Sequence, residues 1–234
     1  AEADPTLDVG GYDAKYKLTI AASHAFGITV DPSSIATLGI HNLSSFDENQ
    51  ARQRGQKLKL LTKAVDTGSG QVSLLVVPEF VTDQNGLYTL DEEYNAAFIE
   101  AQYSGPQTRV GQGAGGYPTG AAVLADILAA PQGYQYHYQK AQLRTPYLHN
   151  QSAELTVYLG FKDRAALDEL PLEGLDREVQ GLDRGAAVGR IKASDLVRYK
   201  NWLDEQGIFV ATVPPETDEA DAQSRVPDEA GEQA

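Results

Sequence analysis

The sequence contains no cysteine and no methionine, a single tryptophan, and 19 basic residues against 33 acidic ones. Without cysteine there can be no disulfide, no thiol nucleophile and no thiolate metal site. The four histidines, His24, His41, His137 and His149, are too scattered to suggest a ligand set, so no metal is expected. A formal charge of −14 disfavours nucleic acid and anionic lipid as partners, because both are held by positive surfaces. The longest apolar runs, AAVLADILAA at 121–130 and VSLLVV at 72–77, fall well short of the roughly 20 residues of a spanning helix. No basic-then-apolar signal peptide is visible, and a cytoplasmic address with no membrane contact is the expectation. An intact translation product begins with methionine, so a chain that has none reads as a fragment or a processed piece.

What is present describes an ordinary globular protein: 234 residues, 41% of them hydrophobic and 22% charged, enough for one sizeable core or two modest domains. Periodicity predicts a helix over 12–26, with Leu18, Ala21, Ala22 and Ala25 on its apolar stripe and Gly27 as its stop. KLKLLTKAV and QVSLLVVPEF read as a β-hairpin joined by DTGSG, Asn85-Gly86 marks a turn, and NAAFIEAQYS is a further strand. GQGAGGYPTGAAVLADILAA is a glycine-rich loop running into a helix, with Pro118 in the first turn, where a missing N–H costs nothing.

After a tyrosine-rich connector the pattern changes. ELTVYLGF, DREVQGL, AAVGRI and IFVATV read as strands and DRAALDEL and SDLVRYKNWLDEQG as helices, a βαββαβ succession typical of small ferredoxin-like units. The final stretch carries seven acids and one arginine with one valine as its only large apolar residue, and cannot bury enough surface to fold. The expected fold class is α+β: a mixed β-sheet covered by helices over 1–130, a connector at 131–152, a ferredoxin-like βαββαβ domain at 153–214 and an acidic disordered tail at 215–234.

The opening stretch EADPTLDVGGYDAKYK sets Glu2, Asp4, Asp8 and Asp13 ahead of Lys17. In a helix Asp13 and Lys17 lie one turn apart and can act on one small ligand, although an i,i+4 pair at a helix start is also an ordinary surface salt bridge. Gly10 and Gly11 allow close backbone approach and Pro5 stiffens the entry, so the acids can form a fixed cup for a substrate ammonium. A lysine beside such acids is a proton donor to a carbonyl oxygen, which suits reduction of an amino-acid aldehyde. In the oxidising direction it must accept the hydroxyl proton, and activity then rises at alkaline pH. GQGAGGYPTG, residues 111–120, reads either as a phosphate cradle before a helix N-terminus or as a generic glycine turn; it lacks the spacing of a Rossmann fingerprint.

Taken together, DPTLDVGGYDAKYK and GQGAGGYPTGAAVLADI resemble two motifs of the homoserine dehydrogenases, in the same order and at a similar separation. The first fits the family pattern Asp-Pro-x-x-Asp-aliphatic-x-Gly-x-Asp-x-x-x-Lys at every defined position. The resemblance spans about residues 1–130. It implies that Lys17 gives or takes the proton, that Glu2 and Asp13 bind homoserine, that Asp8 helps hold the amino group, and that Gly115 contacts a nicotinamide cofactor, NAD or NADP, with Gly113, Ala114 and Thr119 beside it. It also implies reversible reduction of aspartate semialdehyde to homoserine, a step toward threonine and methionine, and a homodimer or higher homo-oligomer.

The family's dinucleotide-binding domain precedes the first motif and is missing here, so the isolated fragment is not expected to be a competent dehydrogenase. The 153–214 segment resembles the ACT regulatory unit that ends many bacterial members. FKDRAALDEL lacks the Pro-Gly usual in that unit's effector loop, so threonine feedback is not expected. Two readings from other classes stand beside this one: a non-catalytic amino-acid-binding regulatory module, and an interaction protein assembled through the tyrosines of YQYHYQ.

Overall fold

The computed structural model describes residues 5–90, 94–134 and 147–214. Glu2, most of the tyrosine connector and the acidic tail at 215–234 lie outside the described residues.

The chain is α+β, with one large mixed sheet flanked by helices and a separate two-stranded ribbon. A short turn, α1 (Thr6–Val9), leads into α2 (Tyr12–Phe26), which Gly27 ends in a left-handed conformation (φ 71°) while its N–H donates to the Ser23 carbonyl. The two-residue strand β1 (Ala36–Thr37) and α3 (Ser45–Gln53) precede the hairpin β2 (Lys57–Gly68) and β3 (Gln71–Val81). The ribbon β4 (Tyr94–Ala101) and β5 (Gly105–Gln112) follows, then α4 (Gly116–Ala129) and the short strand β6 (Leu148–Asn150). The chain closes with β7 (Glu154–Phe161), β8 (Glu173–Gln180), β9 (Gly185–Lys192), α5 (Ala193–Glu205) and β10 (Phe209–Thr212).

Strand β3 organises the sheet. Its run of apolar residues is buried on both faces, as in a strand covered by helices on each side. One edge pairs antiparallel with β2 along its whole length. The other edge is filled end to end by three short parallel partners: β6 at residues 71–73, β1 at 75–76 and β10 at Glu79. Because side chains alternate along a strand, Val72, Leu74 and Val76 meet Leu18 and Ala22 of α2, whereas Leu75 and Val77 meet Ala193 and Leu196 of α5 on the opposite face.

The C-terminal strands run β10-β7-β9-β8, all antiparallel, which is the order of the split βαβ arrangement. Through β10 they continue the β3 sheet, and core clusters mix residues of both halves: Phe80 with Tyr158 and Phe209, and Val77 with Val157 and Val210. At that seam Glu79, buried, is ion-paired with Lys63 and accepts a hydrogen bond from the Thr212 hydroxyl at 2.6 Å.

Two local expectations are corrected. DRAALDEL folds as a 3₁₀ turn over Arg164–Glu169, entered by an Asp163 side chain that accepts from the Ala165 N–H, and not as an α-helix. On α2 the buried positions are Leu18 and Ala22, backed by Ala14 and Phe26, while Ala21 and Ala25 are exposed. The i,i+4 row facing the sheet is fixed by where Gly11 lands, which periodicity alone does not set.

Candidate active site

The Gly-Gly elbow positions α2. Gly10 has no room for a side chain, since a Cβ would lie 2.6 Å from the Tyr12 ring and 2.7 Å from the Thr6 carbonyl oxygen. Gly11 is buried with φ 75°, and a Cβ there would press on Val76 at 3.0 Å. The backbone therefore lies directly on the sheet and turns into α2 in a conformation that side chains rarely adopt. Asp13, in the first turn of α2, then complements the positive end of the helix dipole.

Lys17 Nζ sits 2.7 Å from Asp13 Oδ2. The two side chains are 65% and 46% exposed, so the ammonium is held by its carboxylate at the surface and stays open to an incoming molecule. Such a pair contributes at most about 1 kcal/mol to folding. Asp8 lies exposed on α1, one turn before; its main-chain oxygen accepts from the Gly11 N–H at 3.0 Å, tying its position to the elbow. The structure thus brings Asp13 and Lys17 into contact and sets Asp8 on the preceding turn.

The glycine loop forms the junction of β5 and α4. At Gly113 a Cβ would displace the Asn95 side chain, whose amide would lie 1.6 Å away, and Gly115 adopts φ 111°, a region that side chains rarely adopt. Thr119 N–H donates to the Gly115 carbonyl at 3.2 Å, closing the first turn of α4 beside Ala114. Among the described residues no hydrogen bond or ion pair joins this loop to Asp13 or Lys17. The ribbon and α4 stand out from the main sheet and expose Phe98, Ile99, Val110, Leu124, Ile127 and Leu128.

A cleft of about 230 Å³ lies on the far side of the elbow, between α1 and α5. His41 Nε2 is 2.8 Å from Asp204 Oδ1 there, and Lys200 Nζ lies 4.9 Å from the centre of the Tyr12 ring. The sequence gives no local sign of this group, because its members are more than 160 residues apart. A second group missed from sequence is buried: Asp47, fully enclosed, accepts from the Tyr158 hydroxyl at 2.8 Å and from the Ser44 hydroxyl at 2.6 Å. Burial first, then the Asp47 charge, pushes the Tyr158 phenol well above its ordinary range, so it remains a protonated donor.

Comparison with known proteins supplies the context for these features. Residues 1–128 match the homoserine dehydrogenase family profile. The homoserine dehydrogenase of Pseudomonas aeruginosa is 40% identical over 219 residues, covering 91% of this chain and 45% of that protein. The Corynebacterium glutamicum homoserine dehydrogenase is 39% identical over 134 residues, covering 56% of this chain and 30% of that one. Among solved structures, a homoserine dehydrogenase from Thiobacillus denitrificans superposes with a TM-score of 0.67 at 26% identity, covering 91% of this chain and 55% of that chain. The S. aureus homoserine dehydrogenase at pH 7.0 gives 0.61 at 26% identity, covering 91% and 56%. The chain therefore spans between about a third and somewhat over half the length of these relatives.

Proposed function

The chain belongs to the homoserine dehydrogenase family, and from that premise we propose that it is the part of such an enzyme that binds the amino-acid substrate and moves its proton. The reaction is the interconversion of aspartate semialdehyde and homoserine. The observation that carries the reading is the Asp13–Lys17 contact, held by a glycine elbow that has room for nothing larger.

Lys17 gives its proton to the aldehyde oxygen as the carbon is reduced, and takes the hydroxyl proton back in the reverse direction. Asp13 holds that ammonium in place and, with Asp8, binds the substrate's amino group, a role also assigned to Glu2, which lies outside the described residues. Bound NAD or NADP would supply the hydride. The turn at Gly113, Ala114, Gly115 and Thr119 suits such a group, because a backbone free of side chains lets a flat or phosphorylated molecule approach closely, and the N-terminus of α4 follows directly. The family's place in amino-acid biosynthesis supports a cytoplasmic enzyme. The strand order of 153–214 supports an ACT-like reading of that segment. Oxidation of reduced nicotinamide by aspartate semialdehyde, assayed with the full reading frame that encodes this chain, tests the activity; a folded protein without turnover on either cofactor contradicts it.

The apolar residues exposed on the ribbon and α4 support a homo-oligomer, since large apolar side chains exposed in number on two adjacent elements often mark an interface. Sedimentation of the full-length protein at micromolar concentration is expected to give a dimer mass or larger. A monomer would remove this part of the proposal.

A further inference from the structure

The residues that place the elbow extend beyond the glycines themselves. The segment leaving β1 runs beneath Val9 and Gly10: the Ile40 N–H donates to the Val9 carbonyl at 2.8 Å, and Gly39 is so close that a Cβ would lie 2.3 Å from that same oxygen. The next two residues of the segment reach the C-terminal half. His41 bonds Asp204 near the end of α5, and the Asn42 side chain donates to the Ile208 carbonyl at 3.3 Å, just before β10. A turn earlier on α5, Lys200 lies over the ring of Tyr12, the residue next to Asp13. The elbow is thus tied at two points to α5, and Val9, Gly10, His41, Lys200 and Asp204 all line the cleft there.

We infer that His41 and Asp204 form a strut through which α5 sets the position of the α1–α2 elbow, making both of them positioning residues for Asp13 and Lys17. This deepens the proposed dehydrogenase reading and rests on it. Their side chains are 39% and 33% exposed, so the bond adds little to stability. Its effect is on geometry, where displacement of a reacting group by about an ångström can cost up to 100-fold in rate. The C-terminal unit is then a mechanical support of the site, whether or not it binds an effector.

The test has one readout that does not depend on activity. In His41→Ala and in Asp204→Ala, hydrogen exchange at the Ile40 amide, which bonds Val9, should accelerate at least several-fold over the parent protein, while exchange in β3 stays unchanged. Turnover in the full reading frame should fall about tenfold in each single variant. The double variant should be no worse than either single one, and His41→Gln, which keeps a donor at the same reach, should recover most of the rate. Arg164→Ala, which breaks the Arg164 ion pairs to Asp168 and Glu178 at the far end of the same unit, should leave both readouts alone. Unchanged Ile40 exchange would overturn the strut. So would unchanged turnover in the two alanine variants alongside an inactive Lys17→Ala, or losses that simply multiply in the double variant. An active Lys17→Ala would instead remove the proton-transfer role given to Lys17, and an inactive parent the dehydrogenase reading, while the exchange result would still decide whether the strut exists.

Discussion

Lys17→Ala, introduced into the full reading frame, lowers turnover by roughly 100-fold or more without unfolding the protein, the scale expected for loss of a general acid–base group. The side chain is largely in solvent and its pairing with Asp13 is worth little to folding, so the thermal midpoint should stay near that of the parent. That separation of effects makes the variant informative. A structural salt bridge would give no change in rate, and a buried structural lysine would give a falling midpoint. The loss should lie in turnover more than in substrate affinity, because in the proposed roles the ammonium acts on the reacting oxygen while Asp13 and Asp8 hold the amino group. Steady-state kinetics in both directions, with circular dichroism melting of the same preparation, separate these cases.

Asp47→Ala is expected to have the largest effect on stability. This carboxylate is fully buried and accepts from the Ser44 N–H at 2.9 Å, the Ser44 hydroxyl and the Tyr158 hydroxyl, with Arg184 Nη2 4.0 Å from Oδ2. Gly160 leaves it no slack, since a Cβ there would sit 2.1 Å from Oδ1. Truncation takes the acceptor from the Ser44 N–H and hydroxyl and from the Tyr158 hydroxyl, the last in the apolar cluster of Phe80 and Phe209, while Arg184 keeps its bonds to the Gly160 and Gly207 carbonyls. Removing one member of such a group typically costs about 3–5 kcal/mol. For a chain of this size that corresponds to a midpoint lower by on the order of 10 °C. Tyr158→Phe, which removes one donor and keeps the carboxylate, should cost about 1–2 kcal/mol. Urea unfolding of the three proteins gives the comparison, and equal stability of Asp47→Ala and parent would show that the group is not a structural anchor.

Local order was well legible in the sequence. The helix over 12–26 with its glycine stop, the β2–β3 hairpin, the glycine loop leading into α4 and, apart from a 3₁₀ turn in place of its first helix, the late βαββαβ succession follow from spacing and turn residues, and the structure has them where that spacing puts them. Long-range order was not legible. Nothing in IFVATV says that its threonine, Thr212, lies beside Glu79, and this parallel pairing is what joins the C-terminal strands to the sheet of the first half. Parallel neighbours have no connecting turn to announce them.

At the site, Asp13 and Lys17 were found by helical spacing, and the need for two successive glycines became physical only when Gly10 was seen against Tyr12 and Gly11 against Val76. His41 and Asp47 carry no local signal at all. One is a lone histidine after a short strand, the other an acid in a helix's first turn, a position that ordinarily reads as a solvated cap.

The most direct test of the account is chemical rescue of Lys17→Ala by small primary amines. Because Lys17 stands 65% exposed on α2, its removal leaves a place that a free amine can reach. The proposed role predicts that turnover of the variant rises with amine concentration and varies systematically with amine basicity, while the parent enzyme does not respond. A variant whose turnover stays flat across the series, or that needs no rescue because it matches the parent, would contradict it.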